Sequence, residues 1–390
     1  MSLSIALPTG DGQLVDYTPT GEPLIAPSQP SAGGSRVAFA AAHVVADPLS
    51  EKEPSFGPAL DYPATLAFRR HLLDLGLGVA EAMDTSQRGM GLYWEDAKHL
   101  IRHSLEAADV DERERIFSGV GTDQLDPDAA RSVDDVIRAY LEQLHTVQGF
   151  GGRVIMMASR ALARVARGPE DYATVYGRVL SEADRPAILH WLGEMFDPAL
   201  AGYWGADGFD RALDTALGVI AANAEKIDGI KISLLDDKKE IQMRRLLPSG
   251  VRMYTGDDFN YPDLIKGDQQ GYSDALLGIF DPIAPAASIA LTALAGGDEA
   301  TFDEVLAPTV PLSRLIFRAP TQYYKTGVVF MAWLNGFQEH FVMIAGAQAM
   351  RPIGYFSDVF QLADQAGLLR DPELAVARMK RLLAVYGVEA

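Results

Sequence analysis

The sequence predicts a (β/α)8 TIM barrel with an N-terminal β-hairpin and a C-terminal helical extension. The first observation is a regular alternation of short apolar segments with helical patterns over roughly 250 residues, which is typical of this barrel. The second is that helical patterns continue alone beyond Pro282. A doubly wound sheet is the alternative, but no glycine-rich dinucleotide turn opens a helix after the first strand. The predicted strands are 36–43, 78–84, 115–119, 153–157, 187–191, 229–233, 252–255 and 274–278.

The same pattern divides the chain into three segments. Residues 1–35 contain a hairpin, in which apolar and polar residues alternate around Gly10-Asp11-Gly12, and a linker rich in Pro, Gly and Ser. Residues 36–295 form the predicted barrel, and residues 296–390 form the helical extension. The predicted helices, whose apolar residues recur at helical spacing, are 62–75, 94–107, 133–146, 169–180, 209–224, 284–295, 299–306, 310–316, 323–343, 356–366 and 373–386.

The composition argues against several classes of protein. The formal net charge of −19 disfavours a surface that binds nucleic acid or anionic membranes, because phosphate binding needs clustered Lys and Arg. The absence of cysteine excludes disulfides, thiolate metal sites and cysteine nucleophiles. The N-terminus lacks the basic and apolar regions of a signal peptide, and no apolar run reaches membrane-spanning length. The sequence therefore predicts a cytoplasmic protein with neither nucleic acid nor membrane as a partner.

A lysine occupies the middle of the sixth predicted strand. Lys231 lies in the run GIKIS at residues 229–233, whose β-branched apolar residues predict a buried strand. Burial of an ammonium group is costly unless the group is paired or becomes neutral. A neutral lysine amine is the nucleophile of Schiff-base enzymes. The strand alone leaves two interpretations open, a catalytic amine and a structural lysine that is paired with a carboxylate.

Polar residues collect at the carboxyl ends of the predicted strands, where TIM barrels carry their active sites. A lysine that points into this mouth would be poorly solvated and close to polar partners, which favours the catalytic interpretation. The polar residues at these strand ends are His43, Asp84, Thr85, Ser86, Thr122, Asp123, His190, Asp257, Asp258 and Asp281.

Several of these segments resemble a known family. The run GIKIS around Lys231 is similar to the strand-six lysine motif of the dihydrodipicolinate synthase / N-acetylneuraminate lyase superfamily of class I aldolases. DTSQRG at 84–89 resembles the Thr-Thr-Gly-Glu loop of that family. YTGDD at 254–258 resembles its Gly-Asp-Asp segment, and IFDPIAP at 279–285 resembles its turn into the C-terminal helices. The resemblance covers residues 36–336.

The resemblance implies a lyase or aldolase without a cofactor, in which Lys231 forms a Schiff base with a 2-oxo acid or a keto sugar. It also implies a homo-oligomer, either a dimer or a tetramer. The loop would hold an anionic or hydroxylated end of the substrate, and the Gly-Asp-Asp segment would orient the substrate or the lysine. The predicted substrate-binding residues are Thr85, Ser86, Arg88, Asp257, Asp258, His43 and Asp123.

Departures from the family pattern indicate a divergent bacterial branch. His190 stands where the family has its proton-shuttling tyrosine, and we predict it as the second catalytic residue because histidine exchanges protons near neutral pH. The loop loses its glutamate and gains Arg88, and residues 157–160 lack the strand-four tyrosine. An insertion at 195–208 carries three aromatic residues. Its interpretations are a lid or aromatic platform over the substrate, or a loop that packs on its own barrel.

Two further functions stay open at this point. His43, Glu81, Asp84 and Asp257 would suit the divalent metal ion of a sugar lyase, isomerase or epimerase, although no HxH or HxxxH spacing supports such a site. A non-catalytic barrel that binds a small molecule is the other possibility. The charged run at 236–240 is predicted to be a solvated loop.

Overall fold

The computed structural model describes residues 3–31 and 34–388, apart from the side chain of Ser55. Residues 32 and 33 of the predicted linker and the last two residues of the predicted extension lie outside the described residues. The chain forms two compact units. The barrel unit comprises Arg36–Ala42 and Gly78–Gly278, and the second unit comprises Met1–Ser35, His43–Leu77 and Ile279–Ala390. The predicted division at residues 35 and 295 stays a prediction.

The strands confirm the predicted TIM barrel and hairpin. Eight parallel strands, β3 to β10, close into a barrel in chain order, and β10 pairs with β3. β1 and β2 form the antiparallel hairpin. In chain order the strands are β1 (Ile5–Pro8), β2 (Leu14–Tyr17), β3 (Ala38–Ala41), β4 (Gly78–Glu81), β5 (Ile116–Val120), β6 (Arg153–Met156), β7 (Ala187–Leu192), β8 (Ile227–Ser233), β9 (Arg252–Thr255) and β10 (Asp274–Leu277).

Helices separate the strands and continue alone after β10, as the periodicity of the sequence predicts. None of the described helices is both long and apolar enough to cross a bilayer. The helices are α1 (Tyr62–Asp74), α2 (Trp94–Ala107), α3 (Val110–Arg113), α4 (Val133–Gly149), α5 (Arg160–Val165), α6 (Pro169–Ser181), α7 (Phe209–Ala222), α8 (Asp237–Arg244), α9 (Tyr261–Lys266), α10 (Ala284–Ala295), α11 (Glu299–Leu306), α12 (Thr309–Ile316), α13 (Tyr324–Leu334), α14 (Ile353–Gln365) and α15 (Pro372–Val385).

Aromatic side chains fill part of the barrel interior. The ring of Phe39 lies 4.9 Å from that of Phe117 and 6.0 Å from that of Tyr254, measured between centroids. Two strand glycines make room for these rings. A Cβ atom at Gly78 would lie 2.6 Å from Cε1 of Phe39, and one at Gly229 would lie 2.6 Å from Cε2 of Tyr254. The barrel interior is therefore a packed core, and the space for polar functional groups lies at the strand ends.

The charged run at 236–240 is helical, so the predicted solvated loop is wrong. The side chain of Asp236 accepts a hydrogen bond from the Lys239 N–H at 3.2 Å and caps α8. Glu240 is only 1% exposed. Its carboxyl group accepts hydrogen bonds from the Ser273 and Thr255 hydroxyls at 2.7 and 2.8 Å, but burial dominates and raises its pKa to about 8. The distant partners that bury Glu240 give no local signal in the sequence.

The prediction of one long helix at 323–343 is also wrong, because α13 ends at Leu334. Gly336 follows in the left-handed region, with φ of 80°. The Gly336 N–H donates to the Trp333 carbonyl, and the Phe337 N–H donates to the Ala332 carbonyl at 3.0 Å. These two hydrogen bonds form a Schellman motif, which satisfies the last carbonyls and ends the helix.

The aromatic residues of the 195–208 insertion are packed inside the barrel unit. Trp204 is fully buried, and its ring centroid lies 4.9 Å from that of Tyr176 and 5.9 Å from that of Trp191. Tyr203 is 4% exposed and hydrogen-bonds to the Tyr176 hydroxyl at 2.9 Å. The insertion therefore packs on its own unit, and these two rings do not form a platform for a ligand.

Replacing Trp204 with alanine should remove this packing. We expect Trp204→Ala to lower the free energy of unfolding by about 3–5 kcal/mol, as for other buried aromatic truncations. Denaturant unfolding monitored by circular dichroism measures the change. Leu246→Ala, at a side chain that is 55% exposed, is the control and should stay within about 0.5 kcal/mol of the parent. Equal losses in the two variants would contradict the packing argument.

Candidate active site at the barrel mouth

Lys231 and His190 lie side by side on neighbouring strands. In the parallel pairing of β7 and β8, His190 is in register with Lys231. His190 is 1% exposed and Lys231 is 7% exposed. The sequence places both residues near the carboxyl ends of their strands, and the register brings them to the same level of the barrel. The structure thus brings together the two residues predicted to be catalytic.

The amine of Lys231 is buried and forms no ion pair with a described residue. Its Nζ makes no hydrogen bond or salt bridge with any residue that the structure describes. Burial lowers its pKa, and the negative charges of Asp258 and Asp84 oppose that shift from a longer distance. A structural lysine would be expected to hold a carboxylate at contact distance. The environment instead increases the fraction of neutral, nucleophilic amine at neutral pH.

His190 is held as a neutral base beside the lysine. Burial, and then the positive charge of Lys231, keep the pKa of His190 well below its usual range. Its Nε2 lies 3.3 Å from the Ser233 Oγ. Its Nδ1 lies 3.9 Å from Oδ2 of Asp84, too far for a hydrogen bond, and has no hydrogen-bond partner among the described residues. A neutral imidazole with one free nitrogen can accept or deliver a proton.

Ser233 is a site residue that the sequence analysis missed. It lies two positions after Lys231 on β8, and alternate residues of a strand share one face. That spacing was the available signal. Gly256 opens the space that both side chains use, since a Cβ atom there would lie 2.7 Å from the Lys231 Cε and would overlap the Ser233 Oγ. A glycine after β9 is therefore needed to seat the lysine.

The loop after β4 begins with a backbone turn. Ala82 has φ of 55°, which turns the chain sharply before the single helical turn Asp84–Ser86. The Ser86 hydroxyl donates to the Ala42 carbonyl at 2.6 Å and is thereby occupied. Thr85 is 2% exposed. The loop is thus fixed within the barrel unit, and it places Oδ2 of Asp84 3.9 Å from Nδ1 of His190.

Arg88 and Asp123 are bound to each other. Nε and Nη2 of Arg88 lie 2.8 and 2.7 Å from the two carboxylate oxygens of Asp123. Nη1 donates to the Ala82 and Gly119 carbonyls, and Nη2 also donates to Gln143. Burial alone would raise the pKa of Asp123, but the charge and hydrogen bonds of Arg88 lower it. All donor positions of the guanidinium have protein acceptors, so the pair braces the loops after β4 and β5.

The two aspartates after β9 have different surroundings. Asp257 accepts hydrogen bonds from the Phe259 N–H at 2.8 Å and from the Asn260 N–H and side-chain amide at 3.1 and 2.8 Å. Burial nevertheless raises its pKa. Asp258 is 4% exposed and is the carboxylate that most stabilises the charged form of Lys231. Asp257 therefore holds the turn, whereas Asp258 acts on the lysine.

A cavity of about 120 Å³ opens at this end of the barrel unit. It is lined by Asp84, Arg88, Thr122, Asp123, Met157 and His190, among others. His190 and the loop after β4 therefore border a small, mixed polar and apolar space, and Lys231 lies next to it as the in-register neighbour of His190.

Three of the four residues of the alternative metal site, His43, Glu81 and Asp257, have other partners. His43 belongs to the second unit, where its Nδ1 and its backbone N–H both lie 2.8 Å from Oδ2 of Asp281. Glu81 accepts from the Ser104 hydroxyl at 2.5 Å and from the Ala82 N–H at 2.8 Å. Within residues 3–31 and 34–388, no three His, Asp or Glu side chains are grouped to hold a metal ion. The geometry thus gives the metal alternative no support.

Comparison with known proteins connects this geometry to one group of folds. The model of a family described as "Protein of unknown function (DUF993)" matches residues 5–388. A comparison with curated proteins finds no match. Among solved structures, dihydrodipicolinate synthase from Thermotoga maritima is 16% identical, with a TM-score of 0.63, over 86% of this chain and 100% of that chain.

Two other solved structures give the same result. The synthase from Acinetobacter baumannii, solved in complex with pyruvate, is 16% identical, with a TM-score of 0.60, over 86% of this chain and 99% of that one. The synthase from Aquifex aeolicus is 13% identical, with a TM-score of 0.58, over 90% of this chain and 98% of that one. At these identities the similarity establishes the fold.

The balance of charges on Lys231 can be tested directly. Asp258→Asn removes the carboxylate that most raises the pKa of Lys231, so that pKa should fall further. Since loss of a nearby opposite charge typically moves a pKa by about 1, labelling at neutral pH should accelerate up to about tenfold. Mass spectrometry after acetic anhydride treatment across a pH series measures the site-specific rate. Asp214→Asn, at an exposed position on α7, is the control. An unchanged Lys231 profile in Asp258→Asn would refute the assignment.

Proposed function

The chain belongs to the family described as "Protein of unknown function (DUF993)", and we propose that it is a Schiff-base lyase or aldolase acting on a 2-oxo acid. The observation that carries the proposal is the buried Lys231 amine, which has a lowered pKa and no ion pair among the described residues. The similarity in fold to dihydrodipicolinate synthases supports the same chemistry. A solved neighbour that contains pyruvate supports the substrate class.

The proposed reaction begins at the neutral amine. Nζ of Lys231 attacks the 2-oxo carbon, and the resulting carbinolamine loses water to form a protonated imine. The cationic imine withdraws electrons from the neighbouring carbon, so a proton or a carbon substituent at C3 can leave without its bonding electrons. The enamine that results then adds a proton or an aldehyde carbon at C3. Hydrolysis of the imine returns the free lysine and the product ketone.

We assign the proton transfers to His190. Its neutral ring accepts the proton that leaves C3 or the carbinolamine and returns it later in the cycle. The hydrogen bond between Nε2 and Ser233 fixes the orientation of the ring. Asp84, on the Nδ1 side at 3.9 Å, would stabilise the imidazolium that forms transiently. Ser233 and Asp84 are therefore positioning residues in this proposal.

The loop after β4 is the proposed binding site for the substrate carboxylate. Thr85 is the proposed donor, while the pair of Arg88 and Asp123 maintains the loop position. The N–H groups of residues 86–89 already donate to backbone carbonyls of the same loop. Ser86, Asp257 and His43 have the partners already described, which supports structural roles for them. The homo-oligomer and the cytoplasmic location predicted from the sequence stay predictions.

Borohydride trapping tests the imine. Incubation with pyruvate followed by borohydride should add a reduced pyruvyl group to Lys231, detected by mass spectrometry of its peptide. Lys231→Met should abolish the adduct, because no amine remains to attack the carbonyl. Lys239→Met, which removes a more exposed lysine of α8, should retain it. No adduct with pyruvate or with longer 2-oxo acids would refute the imine. Saturable ligand binding under those conditions would then favour a non-catalytic barrel.

Proton exchange tests the proposed role of His190 separately from that of Lys231. The enamine exchanges the C3 protons of pyruvate with solvent, and NMR in D2O follows this step without an aldehyde. His190→Phe should slow exchange by about 10²–10⁴-fold, the usual contribution of a general acid–base group. The same variant should still give the borohydride adduct at Lys231. The ring shape is retained in this variant, so exchange at the parental rate would exclude His190 as the proton carrier.

A further inference from the structure

The second unit contains a cavity larger than the one at the barrel mouth. Its volume is about 410 Å³, within the range of about 300–1,000 Å³ typical of small-molecule sites. Much of the wall is apolar and is supplied by separate segments of the chain. These wall residues include Leu24, Phe68, Leu75, Pro282, Met331 and Phe337. A cavity with such a wall favours a ligand whose main part is compact and apolar.

Two polar groups pack on one aromatic ring of this cavity. The His71 ring lies 4.5 Å from the ring of Phe337 between centroids, and Cζ of Arg370 lies 5.6 Å from the same centroid. Both side chains line the cavity. Neither the imidazole nor the guanidinium forms a hydrogen bond or ion pair with a described residue. Two hydrogen-bonding groups are thus available near one edge of an apolar space.

The charged side chains around the cavity favour a ligand that carries a single negative charge. Burial and the positive charge of Arg370 lower the pKa of His71, with Asp281 and Asp74 opposing, so the imidazole is neutral at neutral pH. Arg370 is therefore the cation among the cavity-lining residues. Asp281 lies in the wall and is paired with His43 at 2.8 Å. Its negative charge disfavours a second anionic group in the same cavity.

We propose that this cavity is a second binding site, separate in its residues from the Lys231 site, and that it takes a monocarboxylate with a compact apolar body. The carboxylate pairs with Arg370 and accepts a hydrogen bond from His71. The apolar body lies against Phe68, Leu75 and Met331.

An N-terminal strap covers part of the site. Residues 23–26 contribute to the cavity wall. The Leu24 N–H donates to the Gly367 carbonyl at 2.9 Å, and the Gly21 N–H donates to Asp364 at 3.0 Å. Tyr17 donates to the same carboxylate at 2.7 Å. Asp364 is only 1% exposed, so these hydrogen bonds attach the strap to a buried residue. This part of the cavity wall is therefore in place before a ligand binds.

Calorimetric titration of the full chain tests the site with phenylacetate and 3-methylbutanoate. Their neutral amides serve as matched probes, and none of the four compounds has a 2-oxo group that could form an imine. We expect each acid to bind at least about tenfold more tightly than its amide. Arg370→Gln should abolish that difference, and Arg370→Lys should restore part of it. His71→Phe keeps an aromatic ring on Phe337 and should weaken the acids more than the amides.

Two controls make the outcome specific. Arg131→Gln removes an exposed arginine from the barrel unit and should leave the affinities unchanged. Lys231→Met should also leave them unchanged, so failure of the proposed catalytic function and failure of this site are distinguishable. Dissociation constants weaker than about 1 mM for every probe would overturn the proposal. So would an acid-to-amide ratio that Arg370→Gln does not alter.

Discussion

Desolvation of the Lys231 amine is the constraint around which the barrel mouth is organised. A buried ammonium group without a contacting carboxylate is unfavourable, and the protein lowers that cost by favouring the neutral amine. The same charge, when present, suppresses protonation of His190 in the neighbouring register position. Gly256 supplies the space that the lysine stem needs. Lys231 and His190 are therefore coupled, because protonation of either one disfavours protonation of the other.

The Arg88–Asp123 pair shows how this chain stabilises its altered loop. A buried ion pair repays its desolvation only when its geometry is good and the remaining donors are satisfied. Here the guanidinium contacts both carboxylate oxygens, two backbone carbonyls and Gln143. Gln143 in turn accepts from the Gly121 N–H at 2.6 Å and donates to Asp123. Arg88 is thus part of a closed network that joins two strand-end loops.

The sequence predicted the barrel well, because strand and helix periods are local properties. It also predicted the nearness of Lys231 and His190, since adjacent parallel strands end at one edge. The sequence-based prediction failed where a side chain contacts residues that are distant in the sequence. Glu240 resembles a solvated charge until Ser273 and Thr255 bury it. The helix predicted to continue past Leu334 ends there through backbone hydrogen bonds that residue periodicity does not encode.

Cavity size does not by itself identify the site of chemistry in this chain. The cavity at the barrel mouth, of about 120 Å³, is smaller than the cavity of about 410 Å³ in the second unit. The larger space is lined by apolar walls with one edge cation, and the smaller one contains the perturbed base His190. Perturbed titratable groups, more than volume, identify the site of chemistry.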